Sequence, residues 1–494
     1  MRLSDYVKYR ILEIIPGSAI WLTFIGIILL IFIKPLWAVY FIVVFDLYWL
    51  IRVVYLIIYI ILSFRNFRRD SKINWRQKIE NIKGYEKIYH LIFMPTYKEP
   101  LEVLRMSFQS LADVDYPRER ILVVFCIEER DREEALKNAE ILKREFSDKF
   151  LRFIVSLHPK DLPGEVPGKG SNTAWGGHIA QKVVDEIGIP YENIIVSSFD
   201  VDSCAHRQYF SYVTYHYLTT PNPTHYSYQP VPLFNNNIWN VPAIMRVVSN
   251  STTFWLMSEQ LRPERLFTFS SHSMSFRTLV DVGFWQNDIV TEDSRIFLQG
   301  LLHYDGDYRV KSLHLPISMD AVAGKNIWKG FENLYKQQRR WAWGVEHFPY
   351  LIWNYSKNKK IPFLTKFRYL WNLTEGMYSW ATAPVIIFVL GYLPLRLSSI
   401  EVQTSIIGQN APQVLKYLMG GAMVGLFVSA ALSVYFLPHK GIKMRSPKIL
   451  IMVLQWLLFP FCMIAFGSLP ATEAQTRLML GKYLGFRVTE KFRR

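Results

Sequence analysis

Two apolar runs at the start of the chain restrict its folding more than any other feature. Residues 17–33 (GSAIWLTFIGIILLIFI) carry no charge, and after Lys34 and Pro35 a second run from about 36 to 62 carries only Asp46 and Arg52. As a helix, each can cross roughly 30 Å of hydrocarbon. The first run is too long for a signal-peptide core, lacks a small-residue cleavage site and is followed at once by another span, so it reads as a retained anchor. Apolar runs return at about 369–395, 413–437 and 449–469, while residues 85–360 have soluble composition. Half of the 494 residues are hydrophobic and a fifth are charged, which excludes a disordered chain and points to a membrane protein with a soluble part.

The charges set an orientation. Arg2, Lys8 and Arg10 precede the hairpin and Arg65, Arg68, Arg69, Lys72 and Arg76 follow it, with little but Lys34 in its turn. The positive-inside rule puts the N terminus and the chain after residue 64 on the cytoplasmic side of the cytoplasmic membrane. Basic residues flank the run 449–469 on both sides: Lys440, Lys443, Arg445 and Lys448 before it, Arg477, Lys482, Arg487, Lys491, Arg493 and Arg494 after it. Both flanks are therefore expected in the cytoplasm, with 449–469 lying in the interface or re-entering, bent at Pro460, Gly467 and Pro470. The expected organisation is a transmembrane hairpin (1–64), an α/β domain (85–330), interfacial helices (331–365), two further spans (366–437) and an interfacial or re-entrant helix with a basic tail (438–494). The net charge of +16 follows from this topology, so the bilayer is an expected partner and nucleic acid is not. Asp46 and Arg52 face the bundle interior or snorkel to an interface. Cys126, Cys204 and Cys462 lie far apart without CxxC spacing, which argues against a zinc site or a disulfide framework.

Within the soluble part, apolar runs (KIYHLIFMPTY, ERILVVFCIEE, FLRFIVSL, NIIVSSFDVD) alternate with helical stretches such as 131–146 and 172–186, an α/β pattern with a mostly parallel sheet. Ligands of such sheets bind at the carboxyl ends of the strands. Those ends hold Pro95-Thr96-Tyr97-Lys98-Glu99, then Glu128-Glu129-Arg130-Asp131, a loop Pro167-Gly168-Lys169-Gly170-Ser171-Asn172, and Asp200-Val201-Asp202. Two carboxylates two residues apart are hard oxygen donors for a divalent ion, and a lysine among glycines suits a phosphate. Further on come Thr291-Glu292-Asp293 and Gln337-Gln338-Arg339-Arg340-Trp341. A carboxylate there can take a proton from a hydroxyl, an arginine fork can pair a diphosphate, and a tryptophan face can stack a sugar.

The ordered set PTYKE, an acidic strand end, a glycine–lysine loop, DVD, TED and QxxRW, with FxVTxK at Phe486, Val488, Thr489 and Lys491, resembles family 2 inverting glycosyltransferases of the cellulose synthase and hyaluronan synthase group. The resemblance spans nearly the whole chain. It implies a GT-A-like cytoplasmic domain between about four spans plus interfacial helices. It further implies that Thr96, Tyr97, Glu99 and Glu128 line the nucleoside pocket, Glu128 standing where the family usually has Asp. Lys169 would approach the diphosphate, Asp200 the nucleotide, and Asp202 with Asp200 a Mg²⁺ or Mn²⁺ ion. Asp293 would be the general base, Glu292, Gln337 and Trp341 would meet the acceptor, Arg340 the diphosphate, and Phe486, Val488, Thr489 and Lys491 would close over the donor.

The implied reaction is one in-line displacement from a nucleotide sugar, UDP-linked by expectation, giving a β-glycoside on a growing polysaccharide. Four spans would need self-association or an export partner to enclose a polymer channel. The alternative is a non-processive transferase acting on a lipid acceptor. His272 with Ser270, Ser271 and Ser273 occupies the stretch before TED where the related synthases have an acceptor loop, without that loop's usual residues; Trp239, Trp285 and Trp343 stack sugars or anchor at the membrane surface, and Asn235, Asn236 and Asn237 bind hydroxyls or make a turn.

Overall fold

The computed structural model describes residues 3–391, 393–397, 403–438 and 446–485. Helix α1 (Leu3–Ile33) and helix α2 (Pro35–Asp70) are separated by Lys34 alone, whose backbone (φ −143°, ψ 66°) leaves the helical region. Pro35 then opens α2, where its missing N–H costs nothing. At 1.5 Å per residue, the 36 residues of α2 extend about 54 Å, well beyond a roughly 30 Å hydrocarbon layer. Its last turns therefore run along the α/β domain. There Asp70 is buried, accepts from Tyr212 Oη at 2.7 Å and pairs with Arg69 Nε at 2.8 Å; Tyr212 Oη in turn accepts from the His314 N–H at 3.2 Å.

The four apolar runs become strands β1 (Tyr89–Pro95), β2 (Ile121–Glu128), β3 (Arg152–His158) and β4 (Ile194–Ser198), all mutually parallel. They read as continuous apolar stretches because both faces are covered. Ile92, Met94, Val123 and Phe125 join one core, while Leu91, Phe93, Leu122 and Val124 join another on the opposite face. The rest of the sheet comprises β5 (Cys204–Ala205), β6 (Tyr226–Leu233), β7 (Ser273–Ser275) and β8 (Arg309–Ser318), in the order β3-β2-β1-β4-β7-β6-β8-β5. Short β7 runs antiparallel to both β4 and β6, and β5 antiparallel to β8, so the sheet is mixed beyond its first four strands. Strand order reverses between β1 and β4, and a crevice at their carboxyl ends is where α/β sheets bind ligands. An α/β domain inserted between membrane-length helices is thus the architecture observed.

Among the described residues five helical segments are long and apolar enough to cross a membrane: Ser4–Ile33, Pro35–Asp70, Phe363–Leu390, Gly408–Tyr435 and Lys448–Met479. Four coincide with the expected spans. The fifth contains the run 449–469, expected to stay at the interface; it is long and apolar enough to cross, and it touches both the α/β domain and the helix that follows it. Gln455 accepts from Arg246 at 2.7 Å, Trp456 stacks on Phe254 with centroids 5.8 Å apart, Phe466 meets Phe331 at 5.7 Å, and Glu473 pairs with Arg339 at 2.6 Å. A π-helical turn at Ile464–Ser468 interrupts the α-helical pattern between Pro460 and Pro470.

Arg52 is not a snorkelling side chain. It pairs with Glu375 of the helix Phe363–Val385, and Arg265 of the α/β domain reaches the same carboxylate at 3.3 Å. Asp46 is buried.

The Asp70–Tyr212–His314 contact fastens α2 to the sheet. Tyr212→Phe leaves a buried carboxylate and a backbone N–H short of a partner, and is expected to cost about 1–3 kcal/mol, read as a lower thermal midpoint in lipid nanodiscs with unchanged helical content.

Candidate active site

The turn after β1 is built by Glu99. Its Oε2 accepts from Thr96 Oγ1 at 2.7 Å and from the Tyr97 N–H at 2.6 Å, and the Thr96 N–H donates to Cys126 O at 2.9 Å. Lys98 adopts φ +65°, an unusual conformation for a residue with a Cβ, and its N–H donates to Asp131 Oδ2 at 3.0 Å. Tyr97 is thereby presented with the Arg130 guanidinium over its ring, 4.4 Å from the centroid. Arg130 also donates from Nε to Glu128 Oε2 at 2.7 Å. Burial pushes the Glu128 carboxyl up from its ordinary pKa, and Arg130 opposes that shift. The signal of Arg130 in the sequence is an arginine two residues past the acidic end of β2.

Lys169 opens the helix Lys169–Ile187, and its ammonium joins two distant parts of the chain. Nζ lies 2.8 Å from Asp200 Oδ1 and 2.9 Å from both Asp293 oxygens. Burial disfavours the charge on Lys169, yet Asp200, Asp293 and Glu292 together hold its pKa above the ordinary lysine value. The approach depends on glycine. A Cβ on Gly170 would stand 2.8 Å from Gln286 O and 3.1 Å from Glu292 Cβ, so any other residue would push the Lys169 helix off the TED segment. A Cβ on Gly176 would come within 2.6 Å of Cys126 Sγ, so the same helix lies flush on β2 only because that position is bare.

Asp293 and Glu292 start the helix Glu292–His303. Asp293 faces Lys169, and His272 Nδ1 lies 3.8 Å from its Oδ1 while contacting Phe269 O at 2.9 Å. Glu292 is buried, and its acid pKa is pushed up to about 8 by burial and then by Asp293, with Lys169 and Arg340 acting the other way. Gln337, Arg340 and Trp341 lie on the last turns of the helix Ile327–Ala342. The Trp341 ring neighbours Phe234 with centroids 6.2 Å apart.

Asp202 lies two residues beyond Asp200 and is tied to the neighbouring loops. It is fully buried, its Oδ2 accepts from the Asp320 N–H at 3.0 Å and its carbonyl from Asn236 Nδ2 at 3.0 Å. Among the described residues no three His, Cys, Asp or Glu side chains form a metal-holding group. The other candidates are mostly structural. Trp285 is buried edge-on against Phe93, Trp343 is buried and donates to Glu346 at 2.9 Å, and Trp239 donates to Pro438 O at 3.2 Å. Asn237 exchanges hydrogen bonds with the Ala321 backbone at 2.8 Å, and Asn235 reaches Phe436 O at 3.4 Å. Ser271 and Ser273 are buried among other hydroxyls, bonded to Ser203 and Ser197 at 3.0 and 2.8 Å. Phe486, Val488, Thr489 and Lys491 lie outside the described residues.

The arrangement provides a carboxylate able to accept a proton, a lysine able to meet phosphate charge, and an aromatic–guanidinium platform beside the crevice. No protein-family model matches the chain, and no curated protein matches it. Solved structures that align with it include the mannosyltransferase PcManGT from Pyrobaculum calidifontis in complex with GDP-Man and Mn²⁺, with 15% identity, 75% of this chain and 99% of that one covered, and a TM-score of 0.42. Another is S. aureus TarS 1–349 in complex with UDP-GlcNAc, with 13% identity, 72% and 93% coverage, and a TM-score of 0.30.

Glu292 gives the site a pH signature. A carboxyl with a raised pKa binds its proton more tightly in the folded than in the unfolded chain, so its contribution to stability is complete below about pH 4.5 and is lost as pH rises through about 8. Glu292→Gln removes this titration. Its thermal midpoint is expected to fall less than that of the unmodified protein between about pH 5 and about pH 9, as followed by intrinsic fluorescence.

Proposed function

We propose that this chain is a membrane-embedded inverting glycosyltransferase, related to the family 2 cellulose synthase and hyaluronan synthase group, that transfers sugar from a nucleotide sugar to a growing β-glycan. One observation carries the reading. Lys169, Asp200 and Asp293, which belong to three separate motifs, meet within 2.9 Å of one ammonium. A chance set of acidic and basic triplets gives no reason for such convergence at the ends of the strands.

The residues have distinct tasks in this account. Tyr97 and Arg130 form one wall for the nucleobase. Asp293 takes the proton of the acceptor hydroxyl as its oxygen bonds to the anomeric carbon. The bond from that carbon to the diphosphate oxygen breaks on the opposite side, and the charge released is met by Lys169 and Arg340. No covalent enzyme intermediate arises, and an α-linked donor gives a β-linked product. Asp200 and Asp202 offer hard carboxylate oxygens of the kind Mg²⁺ or Mn²⁺ accepts when phosphates and water complete its shell. Bound there, the ion would neutralise diphosphate charge. The basic flanks of the apolar runs support a cytoplasmic site and cytoplasmic termini.

A lipid acceptor is the second reading. A small apolar cavity of about 50 Å³, lined by Ile15, Pro16, Phe348, Leu373 and Met377, opens between α1 and the helix Phe363–Val385 and offers an apolar surface to part of a hydrocarbon chain.

Purified protein in lipid with Mn²⁺ or Mg²⁺ and radiolabelled UDP-glucose, UDP-N-acetylglucosamine or GDP-mannose tests the proposal. Label is expected in high-molecular-weight material, reduced at least about 100-fold by Asp293→Asn. Label confined to an organic-soluble product selects the lipid acceptor. Incorporation that Asp293→Asn leaves intact, or none from any donor, contradicts the proposal.

A further inference from the structure

The helix that carries Asp293 is fastened on its far side by two residues that follow the QxxRW motif. Thr291, the residue before that helix, donates from Oγ1 to Glu346, whose other oxygen accepts from Trp343 Nε1 at 2.9 Å. Next in sequence, His347 is buried between two side chains of the first helical turn. Arg295 Nε donates to His347 Nδ1 at 3.1 Å, which leaves the proton on Nε2, 2.7 Å from Ser294 Oγ. Ser294 Oγ in turn donates to Thr291 O at 3.2 Å. Arg295 is held from its outer side as well, by Gln286 Oε1 at 2.9 Å and by the Tyr350 ring 3.7 Å below its guanidinium carbon.

Glu346 and His347 thus grip residues on both sides of Glu292-Asp293: Thr291 before them, Ser294 and Arg295 after. Neither touches the Lys169 cluster directly. They begin the helix His347–Lys357, which packs against α1 through Trp353 and Tyr9, with ring centroids 5.8 Å apart. The base is therefore indexed to the same short segment that joins the acceptor wall, Gln337 to Trp341, to the membrane helices.

We propose that Glu346 and His347 are positioning residues that set Asp293 against the acceptor, a statement that rests on reading Asp293 as the base. A base displaced by a fraction of an ångström loses rate, while donor binding, which rests on the turn after β1, the end of β2 and Lys169 rather than on Glu346 or His347, stays nearly intact. Glu346→Gln keeps the size of the side chain and disturbs the paired acceptance from Thr291 and Trp343. Thr291→Val removes the same bond from the opposite partner, with less risk to folding. His347→Leu removes both ring contacts, whereas His347→Gln retains an oxygen for Arg295 and an N–H for Ser294.

Two readouts test this in the full-length protein in lipid. In steady-state transfer, Glu346→Gln and Thr291→Val are each expected to lower kcat about tenfold with donor KM within about twofold, and the double variant to be no slower than about the worse single one. His347→Leu is expected to lose a similar factor, and His347→Gln to recover most of it. In hydrogen exchange, the amides of residues 290–296 are expected to exchange faster in Glu346→Gln and Thr291→Val, while those of residues 169–175 do not change. Unchanged exchange at 290–296, multiplicative losses in the double variant, or losses that fall on donor KM overturn the proposal. Altered exchange with full transfer in Asp293→Asn would show that the base assignment, not the grip on the helix, is what fails.

Discussion

The Lys169 ammonium is the interaction on which the site depends. Asp200 at the end of β4 and Asp293 at the start of a later helix both aim their carboxylates at one spot, with Glu292 buried alongside. Like charges at such range, largely removed from water, repel by several kcal/mol unless a cation lies between them. Lys169 is that cation, with 9% of its side chain exposed. Its position follows from Gly170, which lets the helix start approach Glu292, and from Gly176, which lets the same helix rest on the sheet. A short run of glycine and lysine thus ties the β4 loop, the TED segment and the sheet face into one unit.

The second constraint comes from the membrane side. The helix Leu469–Met479 is gripped from two directions. Arg10 of α1 donates to the carbonyls of Leu478 and Met479 at 3.2 and 3.0 Å, where the negative end of the helix favours a cation. On its other face Glu473 holds Arg339 at 2.6 Å and Tyr335 at 2.9 Å, on the helix that ends in Arg340 and Trp341. A Cβ on Gly17 would lie 2.7 Å from Gln475 O, so α1 and this helix cross in close contact. The helix end that carries Arg340 and Trp341 is consequently anchored to α1 through one intervening helix. That linkage explains how a soluble sheet and a membrane hairpin can keep a fixed geometry at the site.

Much of this was legible in the sequence, and the exceptions have physical causes. Continuous apolar runs located β1 to β4 because each is covered on both faces, and of the motif residues Lys169, Asp200 and Asp293 come into contact. Strand β7, Ser-Met-Ser, is too short and too polar to register as a strand, yet it runs antiparallel to both neighbours and makes the sheet mixed. Arg52 looked like an isolated charge in an apolar run because its partner Glu375 is more than 300 residues away. Arg130, Glu346 and His347 were passed over since hydrogen-bond partners from other elements give them their meaning. Trp285 and Trp343 were singled out for aromatic character, and burial shows them to be core instead.

The central claim is a single displacement with Asp293 as the base, and the stereochemistry of the product reports on it most directly. Proton NMR of the first glycosidic linkage formed from an α-linked nucleotide sugar would reveal its anomeric configuration. The account requires a β linkage. An α linkage would contradict it, because retention demands either a second displacement or a leaving group and nucleophile on the same face, and neither fits a lone base held by Lys169.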